Sequence, residues 1–154
     1  LQQLNFHISF AESCTGGLLA SKIISVPGAS AVINESLVTY SNEAKIRYLG
    51  VDAKTIDKFG VVSEEVVSEM AKGLFQLSKA EVCLAISGIA GPTGGSLEKP
   101  VGLVHYAIKI NENLYAENKV FKGDRNLIRE KTSLWILYRL FKLLKTDKRF
   151  AKKA

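Results

Sequence analysis

Apolar and polar positions alternate along the chain in blocks, and each block has the length and period of one secondary-structure element. Five short blocks have the apolar, β-branched and aromatic content of strands: residues 6–12, 31–40, 82–86, 102–110 and 114–121. The block at 82–86 is apolar without interruption, which predicts a strand that is covered on both faces. The last two blocks are joined by Asn111-Glu112-Asn113, a plausible hairpin turn.

The remaining blocks have helical spacing. They predict helices over residues 16–25, from Ser41 to Gly50, over 52–58, from Ser63 onward and after Asp124, which is a good N-cap. The fourth helix carries an apolar stripe formed by Val66, Val67, Met70, Ala71, Leu74 and Leu77. In the last helix we expect these positions to pack firmly on the sheet: Leu127, Ile128, Leu134, Ile136, Leu137, Phe141 and Leu144.

The order of these elements predicts an α/β fold. Because strands and helices are mixed and the late strands form a hairpin, we expect a mixed, mostly five-stranded sheet with helices on both faces. This is a three-layer α/β/α sandwich, and we expect one domain over residues 1–154. Polar segments follow the first three strands: Ser13-Cys14-Thr15, Tyr40-Ser41-Asn42 and Ser87-Gly88. If those strands point the same way, the three segments share one cleft.

Composition narrows the class of protein. The chain has 154 residues, 47% hydrophobic and 23% charged, as in an ordinary globular protein. No apolar run approaches the ~20 residues that span a membrane, and no signal peptide is recognised. Cys14 and Cys83 show no disulfide or metal spacing, so we expect free thiols in the cytoplasm. Since the chain begins at Leu1 without a Met, in what looks like the end of a helix, we expect that N-terminal sequence is missing.

The net charge of +6 is concentrated near the C-terminus. The basic residues there are Lys142, Lys145, Lys148, Arg149, Lys152 and Lys153. We interpret them as a solvated helix end, because cations are favourable near a helix C-terminus and no aromatic–basic interleaving accompanies them. DNA-linked interaction through this tail is the weaker alternative, and its signature would be a steep salt dependence.

Several separate motifs carry a family resemblance, in order along nearly the whole chain. They are Ala11-Glu12-Ser13-Cys14-Thr15-Gly16-Gly17, Val38-Thr39-Tyr40-Ser41-Asn42-Glu43-Ala44-Lys45, Gly60-Val61-Val62-Ser63, Ser87-Gly88-Ile89-Ala90-Gly91-Pro92-Thr93-Gly94-Gly95, Lys99-Pro100-Val101-Gly102 and Gly123-Asp124-Arg125. The chain resembles the C-terminal domain of the competence/damage-inducible CinA family. Stand-alone members of that family are nicotinamide-nucleotide amidohydrolases, which convert nicotinamide mononucleotide (NMN) to nicotinate mononucleotide and ammonia in pyridine nucleotide salvage. The resemblance also favours a homo-oligomer.

Amide hydrolysis needs a nucleophile, a base that later acts as an acid, and donors for an oxyanion. Ser13 lies on the turn ahead of two glycines, and Lys45 is the best nearby base because burial and the positive helix end would lower its pKa. The Tyr40 phenol could relay a proton between them, and the resemblance implies that serine, tyrosine and lysine are the catalytic set. Read singly, these residues have plainer roles: a helix cap, a solvated lysine and a strand aromatic.

Two alternatives concern the reacting groups. Cys14 is the rival nucleophile, since a thiolate at a helix N-terminus is activated. His7 and His105 both fall in predicted strands as packing residues, so neither serves as its base. Glu12 could orient Lys45, bind ribose hydroxyls or be a buried structural carboxylate. No cluster of His, Cys, Asp and Glu has metal-ligand spacing, so no metal or other cofactor is expected.

The substrate-binding residues are predicted around the same turn and the glycine-rich loop at 88–96, which lacks the ending of a Walker sequence. The full set is Thr15, Gly16, Gly17, Asn42, Gly88, Ala90, Gly91 and Arg125. Thr15, Gly16 and Gly17 would offer a hydroxyl and backbone N–H groups to a phosphate, and Arg125 a guanidinium fork. For Arg125 a structural ion pair is an equal alternative. A module that senses a nucleotide without cleaving it is the alternative function for the whole chain.

Overall fold

A computed structural model describes residues 1–146. Its centre is one five-stranded sheet in the order β2-β1-β3-β4-β5. The strands are β1 (Ile8–Glu12), β2 (Ile33–Val38), β3 (Val82–Gly88), β4 (Leu103–Ile110) and β5 (Asn113–Val120). β1 pairs in parallel with both β2 and β3, whereas β4 is antiparallel to β3 and β5 to β4. The sheet is therefore mixed, as the hairpin in the sequence predicts.

Helices cover both faces of this sheet. They are α1 (Leu18–Ile24), α2 (Asn42–Leu49), α3 (Ala53–Phe59), α4 (Glu64–Ser78) and α5 (Arg125–Thr146), with short 3-10 turns at Gln2–Leu4 and Ala29–Ala31. On β3, Leu84 and Ile86 join the core under α1 and α5, while Cys83 and Ala85 join the core under α4. Side chains alternate across a strand, so this division confirms the three-layer sandwich and the strand buried on both faces.

Local signals in the sequence explain how several helices begin. The Ser41 hydroxyl accepts a hydrogen bond from the Ala44 N–H at 3.1 Å, and the Asp124 carboxylate accepts one from the Leu127 N–H at 2.9 Å. Ser63 caps α4 in the same way, at 3.4 Å from the Val66 nitrogen. Capping side chains satisfy N–H groups that the helix itself leaves without partners. These caps hold α2, α4 and α5 at their predicted starting points.

The helical spacing of apolar residues predicted wrongly which residues of α4 and α5 are buried. Leu127, Leu134 and Phe141 of α5 are 44–58% exposed, and Leu77 of α4 is half exposed. The face of α5 that the sheet buries carries Ile128, Thr132, Ser133, Ile136 and Leu140. The buried face of α5 therefore includes two hydroxyl residues, while large apolar residues lie on its exposed side. Apolar residues at helical spacing occur on both sides of this helix, so the spacing does not predict which side is buried.

The boundaries differ by at most two residues from the sequence prediction. β2 is shorter than the block at 31–40, and α1 begins at Leu18 because Gly17 has a left-handed conformation with φ of 90°. His7 precedes β1, is half exposed and bonds to Glu81, so it is not a strand packing residue. Lys148, Arg149, Lys152 and Lys153 lie outside the described residues. Within residues 1–146 no helix combines the length and the apolar character needed to cross a bilayer.

Candidate functional site

The carboxyl ends of β1, β2 and β3 meet at one cleft of about 280 Å³. The three strands are parallel, so the polar segments that follow them are delivered to the same edge of the sheet. The cleft is lined by Ser13, Cys14, Tyr40, Asn42, Lys45, Val61, Val62, Ser87, Gly88, Ile89, Ala90, Gly91, Thr93, Gly94 and Arg125. Of the eleven predicted site residues, all but Thr15, Gly16 and Gly17 line it.

Ser13 and Lys45 are in direct contact, although 32 residues separate them in the sequence. The Lys45 Nζ lies 3.2 Å from the Ser13 Oγ. The cap at Ser41 starts α2 directly after β2, which places Lys45 on the first turn of the helix and turns its side chain toward β1. Lys45 is 1% exposed and Ser13 8% exposed, so the pair is shielded from bulk water.

Burial lowers the pKa of Lys45 from its ordinary value of 10.5, because the charged form loses hydration, and the nearby Cys14 and Glu43 oppose this shift. Two backbone carbonyls also surround the amine: those of Thr39 at 2.8 Å and Tyr40 at 3.2 Å. A neutral amine has two N–H donors and one lone pair. When the two carbonyls accept both N–H groups, the lone pair faces the Ser13 hydroxyl, which can donate its proton to it.

Tyr40 has a different relation to this pair from the one predicted. Its backbone carbonyl contacts Lys45, while the residue is 61% exposed and its phenol accepts a hydrogen bond from Arg125 at 3.1 Å. Within residues 1–146 no hydrogen bond joins the phenol to Ser13 or Lys45. Since Lys45 reaches Ser13 directly, the arrangement needs no relay through Tyr40, whose phenol forms part of the cleft mouth.

Arg125 connects three walls of the cleft from the first position of α5. Its Nη1 donates to the Gly91 carbonyl at 2.7 Å and its Nη2 to the Tyr40 hydroxyl. No carboxylate within the described part of the chain forms an ion pair with it. Its charge is therefore not neutralised by a structural partner, in contrast to the alternative that the sequence left open, and it faces the cleft.

The turn at Thr15, Gly16 and Gly17 does not offer the anion site that the sequence suggests. The Gly16 N–H donates to the Ser13 carbonyl at 3.0 Å, and the Gly17 N–H donates to the Glu12 carboxylate, also at 3.0 Å. Thr15 is fully buried, and its hydroxyl has no partner. These groups are already used inside the fold or shielded by it, so the prediction that they bind phosphate does not hold.

Glu12 is the reason, and its role is structural. The carboxylate is fully buried and accepts hydrogen bonds from the N–H groups of Gly17, Leu19 and Ala20 at 2.9–3.1 Å. A carboxylate at this position meets the positive end of α1 and satisfies donors that the helix leaves without partners. Of the three alternatives for Glu12, the structure selects the buried structural carboxylate.

Cys14 is a poor rival to Ser13. Burial raises the pKa of its thiol to about 11, because desolvation outweighs the effects of its own N–H group and of the nearby Arg129 and Lys45. The thiolate is the nucleophilic form, and it is scarce at neutral pH with such a pKa. His105 lies in β4 as predicted and outside the cleft lining, so it does not pair with this thiol.

Three further residues, none of them among the predicted catalytic or substrate-binding residues, hold the cleft in shape. Arg129 donates to the carbonyls of Cys14 and Thr15, and Lys99 donates to those of Phe59 and Val62 at 2.6 and 2.8 Å. The Ser87 hydroxyl donates to the Val61 carbonyl at 2.8 Å. Arg129 lies one helical turn after Arg125, which is a signal in the sequence. Ser87 belongs to the polar segment predicted after β3, and Lys99 lies in one of the motifs that carry the resemblance, but neither residue had a predicted role.

Gly88 illustrates how closely the walls approach each other. A Cβ at this position would lie 2.7 Å from the Val104 side chain, 3.0 Å from the Leu103 carbonyl oxygen and 3.1 Å from the Cys14 Sγ. Only glycine therefore fits between β1 and β4 at the cleft floor. Among residues 1–146 no group of three or more His, Cys, Asp or Glu side chains is spaced to hold a metal ion.

Comparison with known proteins gives the family. The sequence-family model of the CinA C-terminal domain matches residues 1–144. A CinA-like protein of Petrotoga mobilis is 51% identical over 138 residues, which cover 90% of this chain and 34% of that protein. One of Fusobacterium nucleatum is 50% identical over 137 residues, covering 89% and 33%. The chain thus spans about a third of the length of these curated relatives.

Solved structures of proteins with the same fold support this family assignment. The competence damage-inducible protein A of Klebsiella pneumoniae has a TM-score of 0.90 at 33% identity, covering 94% of this chain and 89% of that one. A competence/damage inducible protein of Agrobacterium tumefaciens has a TM-score of 0.88 at 43% identity, covering 91% and 86%. The shared fold, the family model and the sequence identity lead to one conclusion: this chain belongs to the family defined by the CinA C-terminal domain.

Proposed function

We propose that this domain is an amidohydrolase that converts NMN and water to nicotinate mononucleotide and ammonia, without a metal. The observation that carries the proposal is the buried contact between Ser13 and Lys45, 3.2 Å apart, with two carbonyls around the amine. A serine beside an amine of lowered pKa is the arrangement that activates a hydroxyl nucleophile. The resemblance of the motifs to nicotinamide-nucleotide amidohydrolases supplies the substrate.

In the first half-reaction the neutral Lys45 amine takes the Ser13 proton as the Oγ–carbon bond forms on the carboxamide. The resulting tetrahedral oxyanion collapses, the carbon–nitrogen bond breaks, and Lys45 delivers its extra proton to the leaving nitrogen, which departs as ammonia. Ser13 then carries a nicotinoyl ester. Water attacks this ester, Lys45 takes the water proton and passes it to the Ser13 oxygen, and the nicotinate product leaves.

The oxyanion needs N–H donors, and the fold limits the choice. Of the segments 14–17 and 88–90, the N–H groups of Gly16, Gly17 and Ile89 already have acceptors. Cys14 and Ala90 line the cleft together with Ser13, so we assign the oxyanion to their N–H groups. Arg125 and Asn42, at the mouth, are the groups that we assign to the nucleotide phosphate and ribose.

The test is ammonia release from NMN by the purified chain. We expect Ser13→Ala and Lys45→Met to lower kcat by at least about 1,000-fold, because the one removes the nucleophile and the other its base. Matched controls are Ser36→Ala and the exposed Lys54→Met, which should keep wild-type rates. Circular dichroism verifies that each variant is folded.

Two outcomes would contradict the proposal. Full turnover by either site variant removes the role given to that residue. Stabilisation of the wild-type chain by NMN in thermal melts, without any ammonia, instead identifies the nucleotide-sensing module that is the alternative function.

A further inference from the structure

Arg129 holds the turn that carries Ser13, and it does so without lining the cleft. From the second turn of α5, its Nε donates to the Cys14 carbonyl at 3.1 Å and its Nη2 to the Thr15 carbonyl at 2.9 Å. Within residues 1–146 it takes part in no ion pair. A planar guanidinium fork gripping two consecutive carbonyls defines their direction as a single-point donor such as lysine cannot.

The hydrogen bonds of Arg129 also fix the direction of neighbouring backbone groups, because each peptide unit is planar. In a trans peptide the C=O and N–H of one unit point in opposite directions. Arg129 fixes the Thr15 carbonyl, and thereby the Gly16 N–H of the same unit, which donates to the Ser13 carbonyl at 3.0 Å. The Ser13 carbonyl in turn shares its peptide with the Cys14 N–H. The direction of that N–H, beside the attacking oxygen, is therefore set by Arg129.

Glu12 secures the other end of the same turn. Its carboxylate takes the N–H groups of Gly17, Leu19 and Ala20, whereas Arg129 takes carbonyls of Cys14 and Thr15. The carboxylate anchors the turn to α1 and the guanidinium anchors it to α5. Of the turn residues 13–17, only Ser13 and Cys14 line the cleft.

We propose that Arg129 is a positioning residue for hydrolysis: it orients the Cys14 N–H toward the oxyanion that forms when Ser13 attacks. This inference rests on the proposed function for its reaction class. Because Arg129 acts on the transition state and lies outside the cleft lining, its loss should lower kcat and leave KM unchanged.

The experiment compares Arg129→Gln and Arg129→Lys with Arg139→Gln. Arg139 is a matched control on the same helix, because its guanidinium bonds to Glu117 on β5, away from the cleft. We expect Arg129→Gln to lower kcat for ammonia release by about 10- to 100-fold, as for a displaced oxyanion donor, with KM within about twofold. Arg129→Lys should recover only part of the loss, and Arg139→Gln should keep the wild-type kcat.

A second measurement does not depend on NMN. Phenylmethanesulfonyl fluoride transfers its sulfonyl group to Ser13: the oxygen–sulfur bond forms, the sulfur–fluorine bond breaks, fluoride leaves and the hydroxyl proton passes to Lys45. Mass spectrometry follows the rate of labelling. The sulfonyl oxygens need the same N–H donors, so we expect Arg129→Gln to be labelled about tenfold more slowly than Arg139→Gln.

The following outcomes would overturn the positioning role of Arg129, the proposed substrate, or both. Wild-type kcat and labelling in folded Arg129→Gln, a change in KM alone, or equal losses in Arg129→Gln and Arg139→Gln would overturn the inference. If Arg129→Gln does not fold, full activity of Arg129→Lys would overturn it as well. Labelling of wild-type Ser13 that Arg129→Gln slows, with no ammonia from NMN, would leave the positioning role and remove the substrate. A wild-type Ser13 that neither reacts with the fluoride nor releases ammonia would remove both.

Discussion

At the scale of single residues, the site depends on a lysine that the fold keeps out of water. Lys45 is 1% exposed, and its amine meets the Ser13 hydroxyl and the carbonyls of Thr39 and Tyr40. No carboxylate within residues 1–146 forms an ion pair with it, so burial disfavours its charged form. A lysine that loses its proton more easily can act as a base closer to neutral pH.

If the proposed hydrolysis uses Lys45 as its base, its pH dependence follows from this shift. Only neutral Lys45 can accept the Ser13 proton, so we expect kcat/KM for ammonia release to rise with pH and then reach a plateau. The midpoint of this rise should lie below pH 10.5. Glu43 raises the pKa of Lys45 by its charge, so Glu43→Gln should move the midpoint to lower pH. Initial rates across the pH range measure both midpoints. A rate that falls as the pH rises through this range, or a midpoint at the ordinary lysine value, contradicts the role of Lys45.

At the level of secondary-structure elements, the junction of β1 and α1 is held by a buried carboxylate. Glu12 at the end of β1 accepts three N–H groups from the start of α1, a helix of seven residues. Such a short helix is unstable by itself and depends on tertiary contacts. The same carboxylate that stabilises α1 removes the N–H groups that a phosphate would need.

Glu12→Gln should therefore destabilise the protein. The amide nitrogen is a donor, so it would face the backbone N–H of Ala20 or Gly17 without accepting from it. We expect the free energy of unfolding to fall by about 1.5–3 kcal/mol, the range for hydrogen bonds to a charged group. Urea denaturation measures the change, with the exposed Glu112→Gln as the matched control, expected to stay within about 0.5 kcal/mol. Equal stability of the two variants would mean that Glu12 does not hold α1.

At the scale of the whole molecule, the position of Lys45 depends on how α2 packs on α4. A Cβ at Gly73 of α4 would lie 1.7 Å from the Leu49 carbonyl oxygen and 2.6 Å from its carbonyl carbon. The atoms in contact belong to the backbone at the end of α2, so no side-chain rotation relieves the clash. Glycine at this position lets the two helices approach, and α2 carries Lys45 to Ser13.

Gly73→Ala tests this coupling between packing and the site. We expect α2 to shift away from α4, the free energy of unfolding to fall by about 1–3 kcal/mol, and kcat to fall by about 100-fold as Lys45 moves from Ser13. The neighbouring exposed Lys72→Ala is the control and should affect neither quantity. Denaturation and ammonia release are measured on the same samples. Wild-type kcat in a destabilised Gly73→Ala would show that the site tolerates movement of α2.

Much of the scaffold could be predicted because its signals are local. The caps at Ser41, Ser63 and Asp124 lie within one turn of the helices they start, and the continuous apolar run at 82–86 identifies the central strand. The exposure of Leu127, Leu134 and Phe141 could not be predicted, because apolar spacing on α5 is compatible with more than one buried face. The acceptors of the Gly16 and Gly17 N–H groups could not be predicted, because the spacing of residues in the sequence does not show which oxygen atoms lie next to them.

Local patterns in the sequence were enough to predict the order of strands and helices along the chain, the three polar segments that follow strands, and Ser13 and Lys45 as candidate reacting groups. That those strands are parallel came from the structure. Four contacts could be learned only from the folded chain: Ser13 touches Lys45, Glu12 occupies the start of α1, the Tyr40 phenol bonds to Arg125, and Arg129 bonds to the turn after β1. Those contacts join residues up to 115 positions apart, and their geometry is set by how the sheet orders its strands and how α5 packs across them.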